Sequence, residues 1–220
     1  MSGGALLSQS RLPRAWRAFQ YLAGGTVAKR GLALELCAGR RRILEVGCSL
    51  GNIAEAFRGR GVAYTGIDVD GVAIAHARRH FARLPGFVFV CGDLTAEPPE
   101  LAGRRFDCVL LAGVLHHVDS ATGARLLAAA AGRLEPGGIV AVTDPLLPAP
   151  DDPWLVRRFI RIEQGSHLRT GQTLETLVAA TPGLRLTRSE ERLIPATPWG
   201  RPRVARFGVY ALDAAEAPPR

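Results

Sequence analysis

The stretch LEVGCSLGN, residues 44–52, joins a buried strand to a glycine-rich turn, and it fits two patterns. Gly47, Ser49 and Gly51 spell G-x-S-x-G, the turn that presents a nucleophilic serine in many hydrolases. Read from Glu45, the same residues spell E-x-G-x-x-x-G, a turn that lets a nucleotide-like ligand approach the backbone. The two patterns indicate different chemistry, so the surrounding chain is needed to choose between them.

Strand-like and helix-like segments alternate downstream and upstream of this turn. Apolar runs predict strands at 41–48, 62–69, 86–93, 105–114 and 139–144, and helical spacing predicts helices at 52–60, 71–84 and 120–134, the last with Ser120 as a possible N-cap. Repeated βα units indicate a parallel sheet with helices on both faces. The last third predicts helices at 151–168 and 170–181, capped by Thr170 or Thr173, and an antiparallel pair of strands at 183–194 and 203–213.

Composition and charge narrow the class of protein. Hydrophobic residues make up 47% and charged residues 22% of the 220 residues, which is typical of a soluble globular protein. The net charge of +8 comes from scattered arginines, with Lys29 the only lysine, and no stripe of basic and aromatic residues indicates a nucleic-acid groove. No leader or membrane-spanning run is recognisable, so we expect a cytoplasmic protein without membrane contact.

The cysteines give no sign of a metal site. No two of them form a C-x-x-C pair, and Cys48, Cys91 and Cys108 lie in or beside apolar stretches. The sequence therefore predicts buried free thiols and no metal.

The carboxylates favour the ligand-binding turn over the hydrolase turn. Asp68 ends the second predicted strand, where a carboxylate can accept hydrogen bonds from both ribose hydroxyls, and Asp93 ends the third. The dehydrogenase pattern G-x-G-x-x-G is missing, and the acid Glu45 suits a positively charged ligand better than a pyrophosphate. Asp144 and His167 keep the hydrolase order Ser, Asp, His, but no oxyanion-hole stretch precedes Ser49.

Five segments in order, LEVGCSLG, GIDVD, CGDL, FDCVLLAGVLHHV and LEPGGIVAVTD, resemble class I S-adenosylmethionine-dependent methyltransferases. The pattern is closest to that of small-molecule methyltransferases of bacterial natural-product pathways. The resemblance implies a doubly wound α/β fold with a mostly parallel seven-stranded sheet, order 3-2-1-4-5-7-6, the last strand antiparallel. It implies S-adenosylmethionine as cofactor. It further implies one domain, 1–220, with an N-terminal helical cap (1–38), a cofactor-binding core (39–144), an acceptor-site insert (145–180) and closing strands (181–220).

The resemblance also implies which residues bind the cofactor. They follow the carboxyl ends of the first four strands, and Ser49 replaces a glycine that many members have. The set comprises Glu45, Gly47, Ser49 and Gly51 on the methionine side, Asp68 and Val69 at the ribose, Asp93 and Leu94 at the adenine, and Ala112 and Gly113 facing the methionine portion.

Two histidines and an aspartate are the catalytic candidates. His116 and His117 follow the fourth strand and Asp144 ends the fifth, so all three are expected at the mouth of one crevice. A histidine there suits removal of a hydroxyl proton near neutral pH, with Asp144 orienting it. Each also has a structural alternative, since a histidine can cap a helix or pack, and Asp144 can be a turn residue before Pro145.

The acceptor of the methyl group is expected to be a small molecule held by parts outside the core. These parts are the N-terminal helix, with Trp16, Phe19 and Tyr21, and the insert, with Trp154, Arg157, Arg158, Arg161, Glu163 and His167. We expect Trp16 and Trp154 to pack, and the run RRFIR either to bind an anionic acceptor or to be a solvated helix face. RNA or protein as acceptor, and a cofactor-binding domain without methyl transfer, stay open as alternatives.

Overall fold

The computed structural model describes Leu22, residues 25–160 and residues 165–214. These residues form seven strands and five α-helices. The strands are β1 (Arg42–Val46), β2 (Ala63–Asp68), β3 (Phe87–Cys91), β4 (Phe106–Ala112), β5 (Leu134–Pro145), β6 (Leu184–Pro195) and β7 (Arg203–Ala214). The helices are α1 (Thr26–Leu36), α2 (Gly71–Phe81), α3 (Ser120–Ala131), α4 (Trp154–Phe159) and α5 (Gly171–Ala179).

All seven strands form one sheet in the order β3-β2-β1-β4-β5-β7-β6. The first five strands are parallel to one another, and β7 runs antiparallel to both β5 and β6. The predicted fold class, strand order and antiparallel last strand are confirmed. Because β1 to β5 run the same way, their carboxyl ends meet along one edge, which we call the carboxyl edge.

Alternating side chains of the strands build a core on each face of the sheet. Ile43 of β1 points to the face covered by α1 and α2, where Leu36, Ile74 and Phe81 are buried with it. Leu44 and Val46 point to the other face, and α3 and α5 cover it with buried residues such as Leu127, Leu174 and Val178. The two-residue period of β1 explains this division.

Two predicted helices are shorter than their patterns suggested. Residues 52–60 contain a 3₁₀ turn, Ala54–Phe57, because Gly51 and Gly59 adopt left-handed backbone angles on either side of it. Within 151–168 only Trp154–Phe159 is α-helical, residues 161–164 lie outside the described chain, and residues 165–168 are not helical. The prediction of a helix through all of 151–168 is therefore wrong.

One helix N-cap and one cysteine also differ from the predictions. Asp119, and not Ser120, caps α3 by accepting the amide hydrogen of Thr122, whereas the predicted cap Thr170 does accept the amide hydrogen of Thr173. Cys48 and Cys108 are buried as predicted, but Cys91 is exposed because it ends the edge strand β3.

The predicted N-terminal cap lies mostly outside the described residues. The part that is described contains α1, which begins after Gly25, a residue with φ +67°. Trp16, Phe19 and Tyr21 lie outside the described chain. Among the described helices, none is long and apolar enough to cross a lipid bilayer.

Candidate functional site

A cleft of about 350 Å³ opens at the carboxyl edge, between the loops that follow β1 to β4. Its volume lies in the usual range for small-molecule sites. Eight of the predicted site residues line it: Gly47, Ser49, Asp68, Val69, Asp93, Leu94, Gly113 and His117. The other five, Glu45, Gly51, Ala112, His116 and Asp144, do not contribute to its lining.

The turn after β1 is tightly packed against the loop after β4. Gly47 has φ +71°, and a Cβ there would lie 2.6 Å from a methyl carbon of Val114, so only glycine fits. Ser49 has φ +48°, a left-handed conformation that costs a serine about 1 kcal/mol. Glycine adopts this conformation without strain, so it would be the more stable residue at position 49.

Asp68 and Asp93 are fixed in place by backbone amides of nearby residues. The carboxylate of Asp68 accepts the amide hydrogens of Ser49, at 2.8 Å, and of Asp70, at 2.9 Å. Asp93 accepts both the amide and the hydroxyl hydrogen of Thr95 at 2.8 Å. Each carboxylate oxygen has more than one acceptor position, so hydrogen bonds to a ligand remain possible.

Glu45 lies beneath the turn, on the face of β1 that carries Ile43. It is 1% exposed, and the Tyr64 hydroxyl of the neighbouring strand donates a hydrogen bond to it. Burial raises the pKa of Glu45 to about 8, against the lowering effect of the Tyr64 hydrogen bond, and the nearby Asp68 raises it further. Glu45 therefore lies inside the fold as a predominantly protonated acid at neutral pH.

The histidine loop, residues 113–119, carries His116 and His117 into different surroundings. His116 is 4% exposed, and its Nδ1 lies 3.1 Å from Oδ1 of Asp144, which also accepts the amide hydrogen of Leu115. His117 is exposed at the cleft, and its ring centroid lies 3.9 Å from that of His116. The predicted pairing of a histidine with Asp144 is thus present in the structure, and the histidine is His116.

The edge of the His116 ring away from Asp144 packs near Gly113 and near Gly165 of the insert (residues 145–180). Cε1 is 3.6 Å from the point where a Cβ on Gly113 would sit, and Gly113 lines the cleft. On the other side of Nε2, a Cβ on Gly165 would collide with Cδ2. Nε2, which lies between these two ring carbons, is therefore at the junction of the cleft wall and residue 165 of the insert.

The contact that the hydrolase alternative requires, between Asp144 and His167, is not found among the described residues. Asp144 would have to orient His167, but among the described residues the imidazole that it contacts is that of His116. His167 is exposed, and its amide donates to the His116 carbonyl oxygen at 2.9 Å. The structure does not assemble the order Ser, Asp, His into a triad through His167.

Comparison with known proteins finds relatives of the core of the chain. Residues 44–140 match the model of the methyltransferase domain family. The ubiquinone biosynthesis O-methyltransferase of Alkalilimnicola ehrlichii is 36% identical over 100 residues, which cover 46% of this chain and 40% of that protein. An uncharacterized methyltransferase of Mycobacterium bovis is 32% identical over 111 residues, covering 50% of this chain and 54% of the relative.

Solved structures share the fold of this chain over nearly its whole length. Human N-acetylserotonin methyltransferase, solved in complex with SAM, aligns with a TM-score of 0.66 at 17% identity, covering 94% of this chain and 56% of that one. The pyocyanin biosynthetic protein PhzM aligns with a TM-score of 0.69 at 21% identity, covering 93% and 60%. The chain spans about half the length of the curated relatives that it matches.

The methyltransferase domain match includes the cleft loops but ends before Asp144 and the insert. Several cleft residues within it were not predicted. Thr122, Arg125 and Leu126 project from α3 into the cleft lining, and Val114 and Val118 flank the histidines. The i, i+3, i+4 spacing of the three α3 residues shows that they share a helix face, but nothing in the sequence says that this face borders a ligand site.

The insert agrees only partly with the predictions. Trp154, which was expected to pack, is 66% exposed, so that prediction is wrong. Arg157 and Arg158 are exposed on α4, as expected for a solvated helix face, and Arg161 and Glu163 lie outside the described chain. Among residues 25–160 and 165–214, the His, Cys, Asp and Glu side chains form no group of three or more that could hold a metal ion.

Proposed function

We propose that the protein transfers a methyl group from S-adenosylmethionine to a small-molecule acceptor, at a hydroxyl oxygen. The observation that carries the proposal is the cleft of the methyltransferase domain, where Gly47, Asp68 and Asp93 meet at three neighbouring strand ends. Human N-acetylserotonin methyltransferase, which has this fold, was solved with the same cofactor. The names of PhzM, of the mitomycin 7-O-methyltransferase MmcR and of the ubiquinone O-methyltransferase support a small acceptor.

The cleft fits an adenosine with a charged amino-acid tail. Apolar walls from Ile67, Leu94 and Leu126 suit a flat base, and the carboxylate of Asp68 suits the two ribose hydroxyls. The tail would follow the turn at Gly47, where the backbone is accessible for lack of a side chain. There the cofactor supplies a methyl group on a positively charged sulfur, which is a good leaving group because it becomes neutral.

Within this proposal His116 is the base. Because a carboxylate only accepts hydrogen bonds, Asp144 fixes the hydrogen of a neutral His116 on Nδ1, and the lone pair is then on Nε2. In this tautomer Nε2 is the atom that would accept the hydroxyl proton as the oxygen attacks the methyl carbon. The proton ends on His116, the methyl group on the oxygen, and the bonding pair on the sulfur of S-adenosylhomocysteine.

His117 is the alternative base, since it lines the cleft directly. The hydrogen bond to Asp144 favours His116, because an oriented imidazole needs no reorganisation when it accepts the proton. Single substitutions of the two histidines separate these roles.

The test has a binding arm and a transfer arm. Calorimetry should show binding of S-adenosylmethionine and S-adenosylhomocysteine and none of NAD. S-adenosylmethionine with a labelled methyl group should then label members of a panel of small hydroxylated compounds, with total RNA and a protein extract as parallel acceptors. Tight NAD binding without a response to the sulfur compounds would contradict the cofactor, and label found only in RNA or protein would contradict the acceptor class.

A further inference from the structure

Arg169 is a buried arginine of the insert that binds the histidine loop. It is 7% exposed. Its Nη1 donates to the carbonyl oxygen of Leu115, at 2.6 Å, and to that of His167, at 3.1 Å. Its Nη2 donates to the carbonyl oxygen of Val118, at 2.8 Å, and to the hydroxyl oxygen of Ser120, at 3.3 Å. Leu115 and Val118 lie directly before and after the histidine pair, and Ser120 lies two residues further along.

The chemistry of these contacts requires an arginine. A buried charge is costly, and here it is compensated by carbonyl and hydroxyl oxygens that would otherwise lack part of their hydrogen bonding. The planar guanidinium reaches the Leu115 and Val118 carbonyls from two nitrogens at a fixed angle, whereas a lysine ammonium is a single point with flexible geometry. Arg169 therefore fixes the distance across the turn that contains His116 and His117.

The backbone around Arg169 joins the same turn to the sheet and to the insert. The Arg169 carbonyl oxygen accepts the amide hydrogen of Leu147, two residues after β5 ends, and Leu146 bridges to Arg169. Gly165 packs on the His116 ring, and the His167 amide donates to the His116 carbonyl oxygen. Residues 165–169 therefore contact His116 from the side opposite to Asp144.

We propose that Arg169 is a positioning residue, which holds the histidine loop and with it the His116 ring that Asp144 contacts. This inference rests on the proposed function, because it explains what holds the proposed base in position relative to the acceptor. Arg169 itself does not touch the cleft, so its effect on the reaction passes through His116.

A double-mutant cycle tests whether the effect passes through His116. Arg169→Lys should lower kcat by about 10- to 100-fold, the cost of a base displaced by about 1 Å. In the His116→Gln background the same change should lower kcat by less than about twofold, because the group that Arg169 positions is already gone. Equal losses in both backgrounds, or a turnover of Arg169→Lys within about threefold of the unaltered protein, would overturn the proposal.

Arg133→Lys is the matched control. Arg133 also donates to a backbone carbonyl, that of Leu101, at 2.8 Å, but it lies before β5, at the opposite edge of the sheet. Its substitution should leave kcat within about twofold. Gly165→Ala is a second test that leaves the Arg169 side chain in place, since its methyl group would collide with the His116 ring and the His116 carbonyl oxygen. It should lower kcat more than the KM of the acceptor changes.

Hydrogen exchange separates failure of this inference from failure of the proposed function. The amides of Leu115, His117 and Val118 should exchange faster in Arg169→Lys and not in Arg133→Lys, whatever reaction the protein performs. Unchanged exchange would overturn the role of Arg169 even in an active enzyme. Faster exchange together with normal turnover of His116→Gln would instead contradict the proposed base, and with it the catalytic consequence of positioning.

Discussion

The two halves of the site are held in different ways. On the side proposed for the cofactor, Asp93 is bound by Thr95, two residues away, and Asp68 binds the amides of Asp70 and Ser49. On the side proposed for the acceptor, His116 contacts Asp144, 28 residues later, and its loop is bound by Arg169, about 50 residues later. The first side, which we call the local half, is thus built from neighbouring turns, whereas the second, the distant half, is held by residues from later parts of the chain. Substitutions can separate the two halves.

The largest effect on turnover should come from a substitution of His116, the proposed base. His116→Gln should lower kcat by about 10²- to 10⁴-fold, the usual contribution of a general base. Cofactor affinity should change little, because His116 does not line the cleft. Steady-state kinetics and calorimetry check both parts, with His117→Gln in parallel. A much larger loss for His117→Gln than for His116→Gln would move the base to His117.

Substitution of Glu45, beneath the turn after β1, tests how the free energy of unfolding depends on pH. Its pKa is about 8 in the folded protein against 4.5 as the reference, so the unfolded chain releases this proton first and stability falls as the pH rises from about 4.5 to about 8. Each pKa unit corresponds to about 1.4 kcal/mol, which puts the loss at no more than about 5 kcal/mol above pH 8. Glu45→Gln should remove this slope.

Urea unfolding at pH 5, 6.5 and 8, without ligand, measures the effect. The unaltered protein should lose free energy of unfolding over this range relative to Glu45→Gln, and the exposed Glu100→Gln should behave like the unaltered protein. Parallel pH profiles for Glu45→Gln and the unaltered protein would show that Glu45 is ionised in the folded state.

Asp68→Ala tests the local half directly. It removes the acceptor proposed for the ribose hydroxyls and should weaken S-adenosylmethionine binding by about 1.5 to 3 kcal/mol, the range for a hydrogen bond to a charged group. Calorimetry would detect a rise in Kd of about 10- to 150-fold. The half-buried Asp70→Ala loses the N-cap of α2 and is the control. Equal Kd values for Asp68→Ala and the unaltered protein would contradict the assignment.

Ser49 should give the smallest effect. Ser49→Ala should keep turnover within a few-fold, because the hydroxyl has no part in the proposed chemistry. Ser49→Gly should raise the free energy of unfolding by up to about 1 kcal/mol, since glycine adopts φ +48° without strain. Ser49→Val should lower cofactor affinity because its branched side chain points into the cleft turn. Complete loss of turnover in Ser49→Ala with normal cofactor binding would revive the nucleophile hypothesis.

The sequence predicted the local half of the site better than the distant half. Asp68 and Asp93 could be placed because each ends a predicted strand, and parallel strands end at one edge. The sheet order came from the family resemblance, and the structure has it. Arg169 left no signal, because its acceptors are mostly backbone carbonyls, which any residue carries. The choice between His116 and His117 also needed coordinates, since neighbouring residues differ only in where their side chains point.

Burial of Glu45 was not predictable from its position beside the glycine turn. The family pattern placed it toward the ligand, but the period of β1 puts it on the same face as Ile43, among apolar side chains. Its role as a cofactor residue stays a prediction, and a bound cation close to Gly47 would lower its pKa and release its proton.

The extent of the pairing between β4 and β5 also sets the position of Asp144, the residue that contacts His116. β4 pairs with β5 only as far as Thr143, so Asp144 and Pro145 extend beyond it and are paired with β7 alone, through Gly208 and Phe207. The strand that comes last in the chain thus holds the carboxylate of a site whose other residues precede it. During synthesis, the loops that line the cleft are complete before β7 is made, so Asp144 gains this partner strand only when residues 203–214 have left the ribosome and joined the sheet.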